Sequence, residues 1–244
     1  SRSAKLYTDY ADDPGNTGIL VISPEDLAKR MYKAYRHGLQ PATHCIGDKA
    51  LEVTLDAVEY CLQQGLKDGM TPEEQAKRLP FRIIHAQMAT PELIERMKKL
   101  PIVLDIQPTF LMTDLHWIEE RVGKERAVLS YPWKTYLDAG LIMAGGSDAP
   151  VESFNPWIGI YAPVTRQEMD GYPVGGYHAS EKVSVYDAVC MYSKNVADAN
   201  GDQDLMGTIE AGKFADMVVI DRDIFHIPEN DIKDIQVLNT YMAG

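Results

Sequence analysis

The sequence predicts an α/β protein organised on a parallel sheet. Along residues 40–165, short apolar runs alternate with amphipathic stretches of helical period, the rhythm that strands joined by crossover helices produce. Three of the runs end on a polar residue: Gln40-Pro41-Ala42-Thr43-His44, Phe81-Arg82-Ile83-Ile84-His85 and Leu141-Ile142-Met143-Ala144-Gly145-Gly146-Ser147-Asp148. Four strand–helix units can be read, at 40–64, 81–99, 102–139 and 141–165, half of the eight that close a (β/α)8 barrel.

Taken in order, residues 1–23 read as loop, rich in Asp, Gly and Pro around Tyr10-Ala11-Asp12-Asp13-Pro14-Gly15-Asn16. Ser23-Pro24-Glu25 opens a helix with a capping hydroxyl, proline at the first helical position and an acid in the first turn. Leu27, Met31, Ala34 and Tyr35 give it an apolar stripe and Gly38 stops it; His37 complements the negative end of its dipole. A strand at 40–44 leads to a helix at 48–64 with Leu51, Leu55, Val58 and Leu62 on one face. Asp48 reads as that helix's cap, or as a hydrogen-bond partner behind the site. A strand at 81–85 leads to a helix at 91–99, opened by Thr90-Pro91-Glu92. A strand at 102–106 leads to a helical region at 113–139, and the last strand of the series lies at 141–145. The tail then changes character: a helix at 184–198 with Val185, Ala188, Val189 and Tyr192 inward, a turn at 207–213, and strands at 217–221 and 235–242. This change divides the chain into 1–200 and 201–244.

The composition, 45% hydrophobic and 25% charged over 244 residues, is that of a globular protein. A net charge of −12 argues against a nucleic-acid or acidic-membrane partner, because phosphate contacts need Lys and Arg. No apolar run approaches the ~20 residues of a membrane span, and no signal-peptide pattern opens the chain. Cys45, Cys61 and Cys190 are widely spaced with no Cys-x-x-Cys pair, so a reducing, cytoplasmic compartment is expected. Cys45 follows His44 directly; successive strand residues face opposite ways, which makes it a small buried residue rather than a co-ligand.

His44, His85 and Asp148 are separated by 41 and 63 residues and share one position, the end of an apolar strand. Strand ends of one direction converge on one mouth of a parallel barrel. Two imidazoles and a carboxylate there suit a hydrolytic divalent-metal centre, because coordination lowers the pKa of water to near 7 and a carboxylate can carry the proton.

At these residues the chain resembles the second half of the amidohydrolase superfamily, in the amidohydrolase family 3 branch that includes N-substituted formamide deformylase-like proteins. Thr43-His44-Cys45-Ile46-Gly47-Asp48 is similar to that family's strand-five motif, and Arg82-Ile83-Ile84-His85-Ala86-Gln87 to its strand-six motif. Asp105-Ile106-Gln107-Pro108-Thr109 is similar to the segment after strand seven, and Gly146-Ser147-Asp148-Ala149-Pro150-Val151 to that after strand eight. Gly207-Thr208-Ile209-Glu210-Ala211-Gly212-Lys213-Phe214-Ala215-Asp216 is similar to the return into a flanking β-sandwich. The resemblance implies strands five to eight of a TIM-type (β/α)8 barrel with their helices at 1–200, and a short piece of the flanking β-sandwich at 201–244. It implies a metal-dependent hydrolase of non-peptide, amide-like C–N bonds with one or two divalent ions, zinc by expectation. His44, His85 and Asp148 are the implied ligands, with Asp148 also the general base. The family's His-x-His of strand one is absent from this sequence, and Ser1-Arg2-Ser3-Ala4 resembles the stretch after strand four. The N-terminal half of the barrel is therefore an expected partner, with a homodimer as the alternative cover for exposed strand edges, and the chain is expected to be inactive alone.

Four further residues are candidates for substrate contact. His116 and Trp117 lie in the long region after the third strand of the series. Arg166, in Pro163-Val164-Thr165-Arg166, suits a substrate carboxylate or a structural ion pair. His178 lies in the Gly-rich Gly175-Gly176-Tyr177-His178, a candidate lid. His226 falls in the tail, away from the site. Two rival readings remain: a catalytically silent half-barrel serving as a binding or regulatory module, and a complete flavodoxin-like domain, for which Ile46-Gly47-Asp48-Lys49 makes a poor phosphate loop.

Overall fold

Strands β1 (Ala42–Cys45), β2 (Phe81–His85), β3 (Ile102–Ile106) and β4 (Met143–Gly145) form one sheet in that order. The computed structural model describes residues 2–244; Ser1, and with it the first position of the Ser1-Arg2-Ser3-Ala4 likeness, lies outside them. β1–β2 and β2–β3 pair in parallel, with His44 opposite Ile84 and Ile84 opposite Asp105. Leu104 N–H donates to Ile142 O and Gly146 N–H to Ile106 O, bonds that advance together as parallel neighbours require. The α/β parallel sheet expected from the sequence is present.

The chain packs into two units. The first is Ser1–Asp105, Trp117–Pro132 and Tyr136–Ile142; the second is Ile106–His116, Trp133–Thr135 and Met143–Gly244.

In the first unit the strands alternate between two unlike faces. One bears the helices α1 (Pro24–Arg36), α2 (Asp48–Lys67) and α4 (Pro91–Met97). There Thr43 Oγ1 donates to Met31 Sδ at 3.6 Å, Tyr35 stacks on Phe81 with centroids 5.0 Å apart, and Cys45 Sγ lies 2.9 Å from Thr54 Oγ1. Leu51, Leu55, Val58 and Cys61 of α2 are fully buried, and a buried aliphatic side chain of this kind contributes about 1.5–3 kcal/mol. The opposite face carries Ala42, His44, Arg82, Ile84, Val103 and Asp105. Ala42 and His44 are exposed, Arg82, Ile84 and Asp105 are half-buried and Val103 is buried, so that face is open at β1 and less so toward β3.

The N-terminal segment is stitched to residues far along the chain. Leu6 and Tyr10 are buried, and Ala11 N–H donates to Arg121 O at 2.8 Å. Asp12 accepts both arms of Arg2, at 3.0 and 2.7 Å, and also pairs with Arg121. These partners, the Arg2 hydrogen bond foremost, lower its carboxyl pKa to about 2. Arg126 donates to Thr8 Oγ1 and to Asp9 O, each at 2.6 Å.

Several boundaries depart from the sequence reading. The cap of α2 is Gly47, not Asp48. Asp48 is the first helical residue, and its Oδ1 accepts Tyr7 N–H at 2.9 Å and Lys49 N–H at 2.8 Å, so it ties the N-terminal segment to the helix. A short helix not anticipated, α3 (Pro72–Ala76), forms behind a Thr71/Glu74 capping box. The helical region after β3 is four short pieces: α5 (Phe110–Asp114), α6 (Ile118–Val122), α7 (Lys124–Ala127) and α8 (Trp133–Asp138). The last strand of the series begins at Met143, two residues later than expected.

In the second unit, α9 (Pro156–Thr165) follows β4, and the helix expected at 184–198 is broken into α10 (Val185–Met191) and α11 (Lys194–Asn200). Tyr192, at the break, explains it. Its ring fills the space a Cβ would take on Gly145 (2.6 Å) and on Gly159 (1.9 Å to the hydroxyl), so both positions must be glycine. From α11, Asn195 Nδ2 donates to Met143 O at 2.9 Å. The tail forms an antiparallel pair, β5 (Met217–Ile220) and β6 (Val237–Tyr241). The successive residues Val218 and Val219 are both exposed, so both faces of this ribbon are uncovered in the unit. Ile232 and Ile235, between the two strands, are buried.

Candidate metal centre

β1 and β2 bring His44 and His85 together at their C-terminal ends. The ring centroids are 4.5 Å apart and the planes lie at 77°. Strand alternation alone does not predict this. His85 is in phase with Phe81 and Ile83 and opposite Cys45, so a regular strand would aim it at the helices. Its φ of 73°, followed by 45° at Ala86, ends the strand in two consecutive left-handed residues. That twist re-aims the imidazole toward His44. Positive φ in non-glycine residues costs of order 1–3 kcal/mol each and persists only where the surroundings enforce it.

The surroundings do enforce it. Residues 85–89 are buried throughout, so their backbone polar groups need protein partners. Gln87 O accepts Tyr131 N–H at 2.7 Å, Met88 N–H donates to Ile46 O at 3.1 Å, and Ala89 N–H donates to Leu129 O at 3.2 Å. Ala86 O accepts the phenol of Tyr136 at 2.8 Å, from a side chain that is itself fully buried.

Below His44 on the open face, Arg82 grips Asp105 with two parallel bonds, Nε–Oδ2 and Nη2–Oδ1, both 2.7 Å. The Asp105 hydrogen bond raises the Arg82 pKa further. The Cys45 thiol, buried beside Thr54, is pushed up to about 12, mainly by desolvation; it faces the helices and not the imidazoles.

The remaining candidates distribute as follows. Asp148, in the second unit, is exposed in the loop after β4 with φ 53°. His116 in the same unit is 59% exposed, pairs with Glu168 and stacks on Tyr172 with centroids 5.4 Å apart. Arg166 is fully buried and left-handed at the end of α9. Its Nε donates to Tyr177 O at 2.6 Å and its guanidinium lies 5.0 Å from the Trp133 ring centroid. His178, also left-handed, packs edge-on against Tyr177. Its loop is tied down by Gln167 Nε2, which donates to Gly171 O and Pro173 O at 2.7 and 2.8 Å. Trp117, in the first unit, lies under the Arg121 guanidinium at 5.7 Å. Four of these residues, His85, Asp148, Arg166 and His178, have positive φ.

The sequence reading missed Tyr136 and the Arg82–Asp105 pair. Nothing local marks Tyr136. The pair had a signal, one charge in the middle of each of two apolar strands.

As metal donors, the two imidazoles fit. A ring nitrogen sits about 2 Å from zinc, so two rings on one ion have centroids within about 6.5 Å, a span that 4.5 Å meets. Among the described residues, no group of three or more His, Cys, Asp or Glu is gathered to hold a metal ion.

Paired imidazoles on adjacent parallel strand ends mark the candidate site of this α/β protein. The chain belongs to the amidohydrolase family, which it matches over residues 1–244. It is 35% identical to YtcJ of Bacillus subtilis (strain 168), covering 100% of this chain and 44% of YtcJ. It is 31% identical to N-substituted formamide deformylase of Arthrobacter pascens, over 94% of this chain and 40% of that protein. The crystal structure of an uncharacterised metal-dependent hydrolase from Pyrococcus horikoshii OT3 superimposes with a TM-score of 0.79 at 33% identity, over 93% of this chain and 43% of that one. The chain thus spans less than half the length of the curated relatives it matches.

Proposed function

We propose that this chain supplies the C-terminal half of a (β/α)8 barrel in a metal-dependent hydrolase of non-peptide, amide-like C–N bonds. The observation that carries it is the His44–His85 pair, brought together by a strained turn. The family and the likeness to a metal-dependent hydrolase support the same reading. His44 and His85 would hold a divalent ion, zinc by donor chemistry, and Asp148 would join them from the loop after β4. When bound, the ion supplies Lewis acidity toward the carbonyl and makes water acidic enough to attack near neutral pH. Asp148, exposed on its loop, takes the proton from the attacking water and returns it to the leaving nitrogen. In this reading the N-terminal half of the barrel covers the open sheet face that carries His44, Arg82 and Asp105.

The test uses the full-length protein that contains this chain, with N-substituted formamides as first substrates. His44→Ala and His85→Ala should each lose zinc stoichiometry, and Asp148→Asn should keep the fold and lose turnover. Near-normal kcat in Asp148→Asn with unchanged metal content overturns the general-base assignment. A second reading, a silent binding module, is favoured by the lack of a three-residue ligand group among the described residues. It predicts no stoichiometric metal.

A further inference from the structure

We infer that Tyr136 is a positioning residue for the metal centre, acting through the carbonyl of Ala86, the residue that follows His85. The inference rests on the reading of His85 as a ligand. By alternation the His85 ring belongs on the helix-bearing face, and only the left-handed turn at His85 and Ala86 (φ 73° and 45°) brings it to His44. Left-handed geometry is unfavourable for both residues, so it must be imposed. The turn is buried, and its ties to Ile46, Leu129 and Tyr131 are backbone to backbone. The phenol of Tyr136, donating to Ala86 O at 2.8 Å, is a tie made by a side chain. It lands on the carbonyl of the second left-handed residue, where rotation toward an ordinary strand end would swing the oxygen away. Both ends of this bond are buried, so water does not replace it. Groups hydrogen-bonded directly to a ligand's side chain change metal affinity by roughly 10–100-fold when removed; Tyr136 acts instead on the backbone that aims the ring, and the low end of that scale is the effect expected.

The experiment compares wild type, Tyr136→Phe and Tyr35→Phe in the full-length protein. Tyr35 is a fitting control: it is a buried tyrosine of the same unit, and its hydroxyl has no hydrogen-bond partner among the described residues. Two probes are used, Zn2+ alone in a competition titration and the visible absorption spectrum of the Co2+-loaded protein, which reports ligand geometry. Tyr136→Phe should weaken Zn2+ binding about 10-fold and alter the Co2+ spectrum, while Tyr35→Phe leaves both as in wild type. A folded Tyr136→Phe with wild-type affinity and spectrum overturns the assignment. Wild type that binds neither ion overturns the metal reading, and this assignment with it. Should Tyr136→Phe fail to fold, Tyr136→Phe/Ala86→Gly replaces it, because glycine adopts the left-handed turn without strain. That variant should fold and recover Zn2+ affinity; wild-type-like folding of Tyr136→Phe/Ala86→Gly without recovered affinity counts against the assignment.

Discussion

Breaking the Arg82–Asp105 pair should destabilise the first unit well beyond what a surface ion pair does. The two side chains are 23% and 13% exposed, and their bonds are bidentate at 2.7 Å. Charges about 4 Å apart attract by about 4 kcal/mol at the effective dielectric of partly buried sites, before desolvation is subtracted. A hydrogen bond to a charged group is worth roughly 1.5–3 kcal/mol net, and residual exposure trims a doubled value. A coupling energy of about 2 kcal/mol follows, against the 0.2–1 kcal/mol typical of exposed pairs. The assay is a double-mutant cycle with Arg82→Met, Asp105→Asn and the double variant, by equilibrium urea unfolding followed by circular dichroism. With a slope of about 3 kcal/mol per molar urea, the coupling corresponds to about 0.7 M in midpoint. A coupling energy below about 0.5 kcal/mol would refute the reasoning and class the pair as solvated.

Three further outcomes are expected. The folded-state pKa of Asp12 lies below its unfolded value, near 4. Its contribution to stability should therefore be complete above pH ~4 and fade as pH falls toward about 2; thermal melts of wild type and Asp12→Asn between pH 6 and 2 should converge at the acid end. Gly159→Ala puts a methyl 1.9 Å from the Tyr192 hydroxyl and should cost about 1–3 kcal/mol by overpacking. Differential scanning calorimetry checks it, and an unchanged melting profile counts against the wedge. The Cys45 and Cys61 thiols are pushed up to about 12, chiefly by burial, while Cys190 is only half-buried. A thiol reagent at pH 8 should modify Cys190 first, read by peptide mapping; equally fast labelling of Cys45 would show that its burial is misjudged.

The sheet was legible because each strand is a short apolar run punctuated by cap and turn residues, and β2 and β3 have the predicted bounds. What could not be read is direction. A sequence pattern assigns His85 to the phase of Phe81 and Ile83, and nothing in Ile84-His85-Ala86 signals a switch to positive φ, since none of these residues is glycine. The switch is enforced from Ile46, Leu129, Tyr131 and Tyr136, distant in the chain. Asp48 misled for the opposite reason. Its type and place suit a cap, yet Tyr7, forty-one residues upstream, claims its carboxylate, and the neighbouring Gly47 takes the cap position. The single helix expected at 184–198 failed on a packing event, Tyr192 seated against Gly145 and Gly159, which periodicity cannot register.

The stitching of Thr8, Asp9, Ala11 and Asp12 to Arg121 and Arg126 sets a schedule for biosynthesis. Asp9 and Arg126 lie 117 residues apart. At roughly 5–20 residues per second, Arg126 is made about 6–23 s after Asp9. Until then Leu6 and Tyr10 lack part of the surface that holds their segment in place. The nascent chain must keep that segment accessible, yet unaggregated, through the synthesis of β1, β2 and β3. Residues 6–12 are thus made early in this unit and are among the last of it to lock, and translation speed across residues 13–126 sets how long they are exposed to chaperones and proteases.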